Sequence, residues 1–301
     1  MKKIIILLLF VTSISTVSHA CPWCGCGNSN FQIGVLPTFS KAFVGVRYSY
    51  SQFKTDSGSQ FSRDYFHTTE VWGGFKTGRF QAMVFIPYIS IHKSSDDGVV
   101  NTTGLGDITL LGNYLLFSKT TAATEGKRYF GNVLWVGGGV KLRTGQSEID
   151  VKDPAFTVGE FTNTPGTGST DYLLNINHSI FLGSNGLVTN LAYKINTKNN
   201  QDYQYGNRFY LSTAYFHTWT AGAYTFRPTV GLNLVTNSAN RYQGQEVQYS
   251  SGYLLNGIVG VNMQRNQIGL LINGFAPVAQ DLFHGLTQSK ERASIALTYS
   301  F

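Results

Sequence analysis

Cysteine is almost absent from this 301-residue chain: Cys21, Cys24 and Cys26 are the only three, packed into one stretch of six residues. A disulfide framework or a zinc site spread through the fold is thereby excluded. Charge is scarce as well, at 13% of residues, where soluble domains average roughly 25%. The only apolar run of note, Ile4 to Val11, is far below the roughly 20 residues a membrane-crossing helix needs. The net charge of +7 is spread without a Lys/Arg cluster or a recognisable motif, which argues against nucleic acid as a partner.

What is present points the other way. Aromatics make up 14% of the chain and glycines number 33, yet mean hydropathy is close to zero at −0.07. A wall that is apolar on one side and polar on the other averages to such a value. Lys2 and Lys3, the apolar run and Ser18-His19-Ala20 form a basic n-region, an h-region and a small-residue cleavage site, the pattern of a secretory signal. The chain therefore divides into a signal peptide over 1–20, a cysteine-containing periplasmic segment over 21–41, and a strand-rich remainder over 42–301.

In that remainder, period-2 alternation recurs in segments of about ten residues, as expected of strands exposed to different media on their two faces. Ala293, Ile295, Leu297, Tyr299 and Phe301 form one face of the last strand, against Arg292, Ser294, Ala296, Thr298 and Ser300. Tyr224, Phe226, Pro228, Val230, Leu232 and Leu234 oppose Thr225, Arg227, Thr229, Gly231 and Asn233 in the same way. The pattern predicts strands near 42–54, 65–76, 79–92, 106–118, 129–143, 169–182, 186–197, 206–219, 222–236, 249–263, 266–277 and 289–301. Very short connections follow the second, sixth, eighth and tenth, at Thr77-Gly78, Gly183-Ser184-Asn185, Thr220-Ala221 and Gln264-Arg265. The alternate connections are mostly longer and more polar, the longest running from Thr144 to Gly168.

Short turns at one end and long loops at the other describe an all-β, antiparallel, up-and-down transmembrane barrel of about 12 strands, with 10 to 14 as the range. Lipid offers no partner to an open sheet edge, so the sheet must close. The expected location is the outer membrane of a Gram-negative bacterium. The expected partners are its lipids and, through an alternating last strand ending on Phe301, the barrel-assembly machinery.

Two segments resemble a known family. Gly104-Leu105-Gly106-Asp107-Ile108-Thr109-Leu110, read here as opening the fourth strand, resembles the GLGD segment of the meta-pathway phenol-degradation-like outer-membrane transporters. These are related in architecture to long-chain fatty-acid transporters. Phe85-Ile86-Pro87-Tyr88 resembles the hydrophobic-Pro-Tyr element preceding GLGD in that family. The resemblance implies an outer-membrane channel or transporter for small, often hydrophobic molecules, and no ligand residues are transferred with it.

The polar strand faces give a pore-lining set: Arg47, Glu70, Lys76, Asp107, Lys141, Lys194, Arg208, Arg227 and Arg292, with Asn113, Asn175, Asn177, Asn190, Asn233, Asn256, Asn262 and Asn273 between them. Cations outnumber anions there, which favours anionic solutes in a narrow pore. Pairing with loop acids such as Asp56, Asp96 and Glu148 is the plainer alternative. The long loop either folds inward to constrict the pore or caps it from outside.

Cys21, Cys24 and Cys26 lack the βαβ setting of a thioredoxin motif, the His of a haem-attachment motif and the fourth ligand of a zinc site. Lipidation of Cys21, a local disulfide and capture of Cu(I) all remain open. No organic cofactor is implied. A barrel-type lipid-hydrolysing enzyme would need a Ser/His pair near the outer rim, whereas His178-Ser179 and Ser184-Asn185-Gly186 fall at the periplasmic turns; no enzymatic activity is expected.

Overall fold

The computed structural model describes residues 42–56, 61–96, 98–122, 129–151 and 162–301. Twelve antiparallel strands close into one barrel. They are β1 (Ala42–Asp56), β2 (Phe61–Thr77), β3 (Phe80–Ser95), β4 in two pieces (Gly98–Leu105 and Thr109–Ala122), β5 (Tyr129–Lys141) and β6 (Asp171–Leu182). The second half comprises β7 (Asn185–Ile195), β8 (Arg208–His217, continued by Trp219–Ala221), β9 (Tyr224–Asn237), β10 (Gly252–Arg265), β11 (Ile268–Leu282) and β12 (Thr287–Ser300). Each strand pairs with its neighbour in sequence, and β1 closes on β12, with Phe43 opposite Ser300 and Thr55 opposite Thr287. All twelve sequence-derived strands are present.

Alternation decides which way each side chain points. Val46 on β1 is 48% exposed while Arg47 beside it is 4% exposed. Tyr48, Val71, Leu174, Val230, Val259, Ile295 and Leu297 share the outward, exposed face. In water such an apolar exterior would drive aggregation; in a bilayer it is the surface that lipid solvates. A closed barrel also satisfies every wall amide internally, as hydrocarbon demands. Fold and exterior together place the chain in a Gram-negative outer membrane.

Ala42 and Phe301 meet at the short-turn end, where the Phe301 amide donates to the Ala42 carbonyl at 2.9 Å. Two of the tight turns lie two residues beyond their sequence-derived positions, because β8 and β10 run on to Ala221 and Arg265 and the chain reverses at Gly222 and Asn266. Those residues accept a positive φ, of 58° and 50°, which a tight hairpin requires.

At the loop end, two-residue strands at Tyr203–Gln204, Arg241–Tyr242 and Gln245–Glu246 form a small sheet over the barrel. Tyr203 and Tyr205 are buried there with Ile149, Val151, Tyr242 and Val247 against them. This cap was not legible in the sequence. The signal segment and Cys21, Cys24 and Cys26 lie outside the described residues.

Candidate functional site in the barrel lumen

Apolar groups occupy part of the lumen. Phe53, Phe66, Ile89, Ile91, Ala192, Tyr210, Val235, Leu254, Leu282 and Phe283 form one buried cluster, from eight of the twelve strands and the turn after β11. They sit on the same inward faces as the polar residues, towards the loop end. A second cluster, Phe43, Trp72, Met83, Phe85, Leu111 and Leu173, lines the wall nearer the turns. Trp72 stacks on Phe85 with centroids 5.9 Å apart.

The charged residues are sunk among these groups. Arg47, Glu70, Lys141, Lys194, Arg208 and Arg292 are all buried, whereas Lys76 and Arg227 are half-buried towards the turn end. Arg47 and Glu70 are register partners on β1 and β2 and form a buried ion pair. Lys141 contacts Asp107 at 2.6 Å and Asp171 at 3.0 Å, and Lys194 reaches Asp171 at 3.2 Å. For Arg47, Lys141 and Lys194 these pairing acids belong to the barrel wall. Asp171 is absent from the sequence-derived set, although its parity with Asn175 and Asn177 on β6 assigns it to the same inward face. Asp64 is likewise buried. The surplus of cations is correspondingly smaller than composition of the strand faces suggested.

Amides fill the next level. Asn175 donates to Asn113 at 2.7 Å, Asn113 to Gln81 at 3.0 Å, and Asn256 to Asn233 at 3.3 Å, while Asn177 donates to Asn190. Asn262 and Asn273 are also buried.

The GLGD segment does not open a strand; it interrupts one. The outer piece of β4 pairs Leu105 with Tyr88, and the inner piece pairs Thr109 with Phe85. Three residues, Gly106 to Ile108, therefore stand against two, Ile86 and Pro87. Pro87 has no amide hydrogen to give the ladder, and an extra residue opposite it is a bulge. The Gly106 amide still donates to the Pro87 carbonyl at 2.8 Å. The two family-like segments are thus partners across one break in the wall.

That break grips the long loop. Asp107 Oδ1 accepts from the Gly145 amide at 2.9 Å, and Oδ2 accepts from the Thr167 amide at 2.8 Å and its hydroxyl at 2.6 Å. The Gln146 amide donates to the Leu105 carbonyl at 3.0 Å. A side chain on Gly145 would meet the backbones of Gly106 and Gly166, both at 2.7 Å. Both ends of the described loop, up to Val151 and from Thr162, are therefore fastened to the wall, with Thr162, Thr167 and Ser169 buried.

Beneath the filled region lies a hollow of about 760 Å³ at the turn end, reaching Lys76, Trp135, Asn177, Phe181, Phe216 and Arg227. A second, polar hollow of about 860 Å³ lies between Thr102, Arg143 to Glu148 and Asn199 to Gln201 at the loop end. Lys76 Nζ sits 5.4 Å from the centre of the Trp135 ring. Volumes of this order suit small organic ligands.

The histidine–serine pair weighed for hydrolysis is divided by the sheet. Ser179 lines the hollow, whereas His178, its neighbour on β6, follows the exposed Leu174 and Ile176 to the outer face and bonds Asn132 at 2.8 Å.

The fold and lumen define a transmembrane β-barrel of the outer-membrane type. An outer-membrane channel from Pseudomonas putida F1 superposes at a TM-score of 0.60 with 15% identity, covering 90% of this chain and 98% of that one. The β domain of the Bordetella autotransporter BrkA superposes at 0.52 with 10% identity, covering 87% and 100%. A channel and an autotransporter domain share this shape, so the likeness establishes the fold and leaves function to the site. No protein-family model matches the chain, and no curated protein matches it.

Proposed function

We propose that this barrel is an outer-membrane channel or transporter for small molecules, closed at rest towards the loop end and hollow towards the turns. The observation that supports it most directly is the hollow inside a closed lipid-facing wall, directly below an apolar plug. Hydrophobic constrictions of this kind gate water-filled pores by excluding water. The GLGD break and its proline partner fit the meta-pathway-like transporter resemblance, and the channel from Pseudomonas putida shares the fold.

Anionic, hydrophobic or aromatic solutes suit the interior. Among the described residues lining the hollow there are two cations, Lys76 and Arg227, and no carboxylate. The test is reconstitution of the refolded full-length protein in planar bilayers and in liposomes loaded with small solutes. The expected result is low resting conductance, anion preference, and a rise in conductance when the plug is reduced by Phe66→Ala. Cation preference would overturn the anionic reading. No permeation above the lipid control, in either protein, would overturn transport itself.

A further inference from the structure

The outward face of β1 and β2 changes character in layers towards the loop end. Val44, Val46 and Val71 are exposed and apolar, the surface that hydrocarbon solvates. Tyr48, Tyr50 and His67 come next, with the Tyr48 hydroxyl 2.7 Å from His67 Nδ1 and the Tyr50 ring 5.3 Å from the imidazole centre. Aromatic bands of this kind mark the boundary between hydrocarbon and headgroups. Lys54 lies beyond Tyr50 on β1, about 13 Å further along the strand at roughly 3.3 Å per residue. Its side chain points outward, because Phe53 and Thr55 on either side of it are buried. Arg63 points outward on β2 for the same reason, between the buried Ser62 and Asp64.

Cations gather at that depth. Lys54 and Arg63 are direct register partners, and Lys54 Nζ and the Arg63 guanidinium lie 5.0 and 5.3 Å from the centre of the same Phe61 ring. Lys290 extends the row onto β12, where it donates to Gln288 Oε1 at 3.1 Å, and Gln288 is the register partner of Lys54. The acids close by are Asp96, which accepts from the Phe61 amide at 2.9 Å, and the exposed Asp56 and Glu291. None of the three cations forms an ion pair among the described residues. Like charges directly opposed in a ladder repel and cost stability. An anion gripped between them turns that repulsion into attraction.

We infer that this row is a docking site for the phosphate groups of lipopolysaccharide, the phosphorylated glycolipid of the outer leaflet, with Lys54 and Arg63 holding a phosphate and Lys290 flanking it. Position selects the occupant. The site faces away from the lumen, at the loop end and just beyond an aromatic band, where lipid phosphates meet an outer-membrane wall. Arg63 supplies a planar fork for two phosphate oxygens, and Lys54 a point charge. The row spans β12, β1 and β2, so a bound glycolipid clamps the barrel seam from outside. The inference is independent of what the lumen carries.

The test measures lipid retention by native mass spectrometry on the refolded full-length protein in detergent micelles. Diphosphorylated lipid A, fully dephosphorylated lipid A and phosphatidylglycerol are titrated separately. The diphosphorylated form is expected to bind at least tenfold more tightly than the other two, and to stay bound in equimolar inorganic phosphate. Lys54→Gln and Arg63→Gln should each weaken it about tenfold, the scale of one charge-assisted hydrogen bond. Lys119→Gln, which removes a cation exposed at the turn end, should leave it unchanged. Folding of each variant is checked by heat-modifiable electrophoretic mobility. Equal retention of dephosphorylated lipid A or of phosphatidylglycerol would overturn the inference, as would displacement by equimolar phosphate. So would insensitivity to both Lys54→Gln and Arg63→Gln, or an equal loss in Lys119→Gln.

Discussion

Thr167 and Asp107, sixty positions apart in the chain, are joined by two hydrogen bonds on a single carboxylate oxygen, at 2.8 Å from the amide and 2.6 Å from the hydroxyl. Lys141 binds the same oxygen at 2.6 Å. One side chain thus fixes a loop, a strand and a break in the barrel wall.

Asp107→Ala should release the loop without opening the barrel seam. Lys141 retains Asp171, so the cost is expected at about 1–3 kcal/mol, the range for leaving buried donors unsatisfied. Urea unfolding in micelles reads the stability. Limited proteolysis should show new cleavage within residues 142–170 while the barrel core stays resistant. An unchanged cleavage pattern would show that Asp107 does not hold the loop.

Gly145→Val attacks the same junction by volume. The new side chain would meet backbone on both sides, at Gly106 and Gly166, and neither can move as a side-chain tip would. Overpacking of this sort costs about 1–3 kcal/mol. The expected outcome is the protease sensitivity of Asp107→Ala with Asp107 intact.

Glu70→Leu should be more damaging than its size suggests, because it takes from the buried Arg47 the carboxylate it pairs with. Breaking a buried pair from one side costs about 3–5 kcal/mol, whereas replacing both partners with apolar groups is often neutral. The double variant Arg47→Met with Glu70→Leu should therefore recover most of the loss. Denaturant midpoints of the single and double variants decide it, and equal midpoints would refute the coupling.

Phe66→Ala removes a ring from the plug. Large-to-small changes at buried aromatics cost about 3–5 kcal/mol, and here the vacated volume lies within the lumen. Conductance in planar bilayers should rise above that of the unaltered protein. A rise is not expected from Val46→Ala, whose side chain faces lipid.

The strands were legible because their two faces meet different media. Val44, Val46 and Tyr48 alternate with Gly45 and Arg47, and no packing detail is needed to see it. Turn positions were legible to within two residues, because Gly78, Gly183, Gly222 and Asn266 mark where the chain can reverse. The plug was harder to read. Phe53 and Phe66 fall on inward faces that otherwise carry Arg47 and Glu70, and alternation distinguishes faces without saying what a polar-looking face will bury. Asp107 illustrates a further limit. Its partners Gly145 and Thr167 are remote in sequence and offer only backbone amides and a hydroxyl, groups that almost any loop supplies. The cap at Tyr203 and Tyr242 depends on strands of two residues, too short for any period to register.

The seam between β1 and β12 also governs timing. Its pairs, from Phe43 with Ser300 to Thr55 with Thr287, join the most distant strands of the barrel and form twelve of its cross-strand contacts. Hairpins elsewhere can zip as soon as two neighbours have emerged; this joint cannot exist until every other strand is in place. Contacts so far apart carry the largest loop-closure entropy and set the slowest step. Until the joint forms, both edges are raw and adhesive. An outward face of Val, Leu and Tyr that lipid will later solvate is meanwhile a liability in water, so the barrel's most exposed moment is the one just before it becomes a ring.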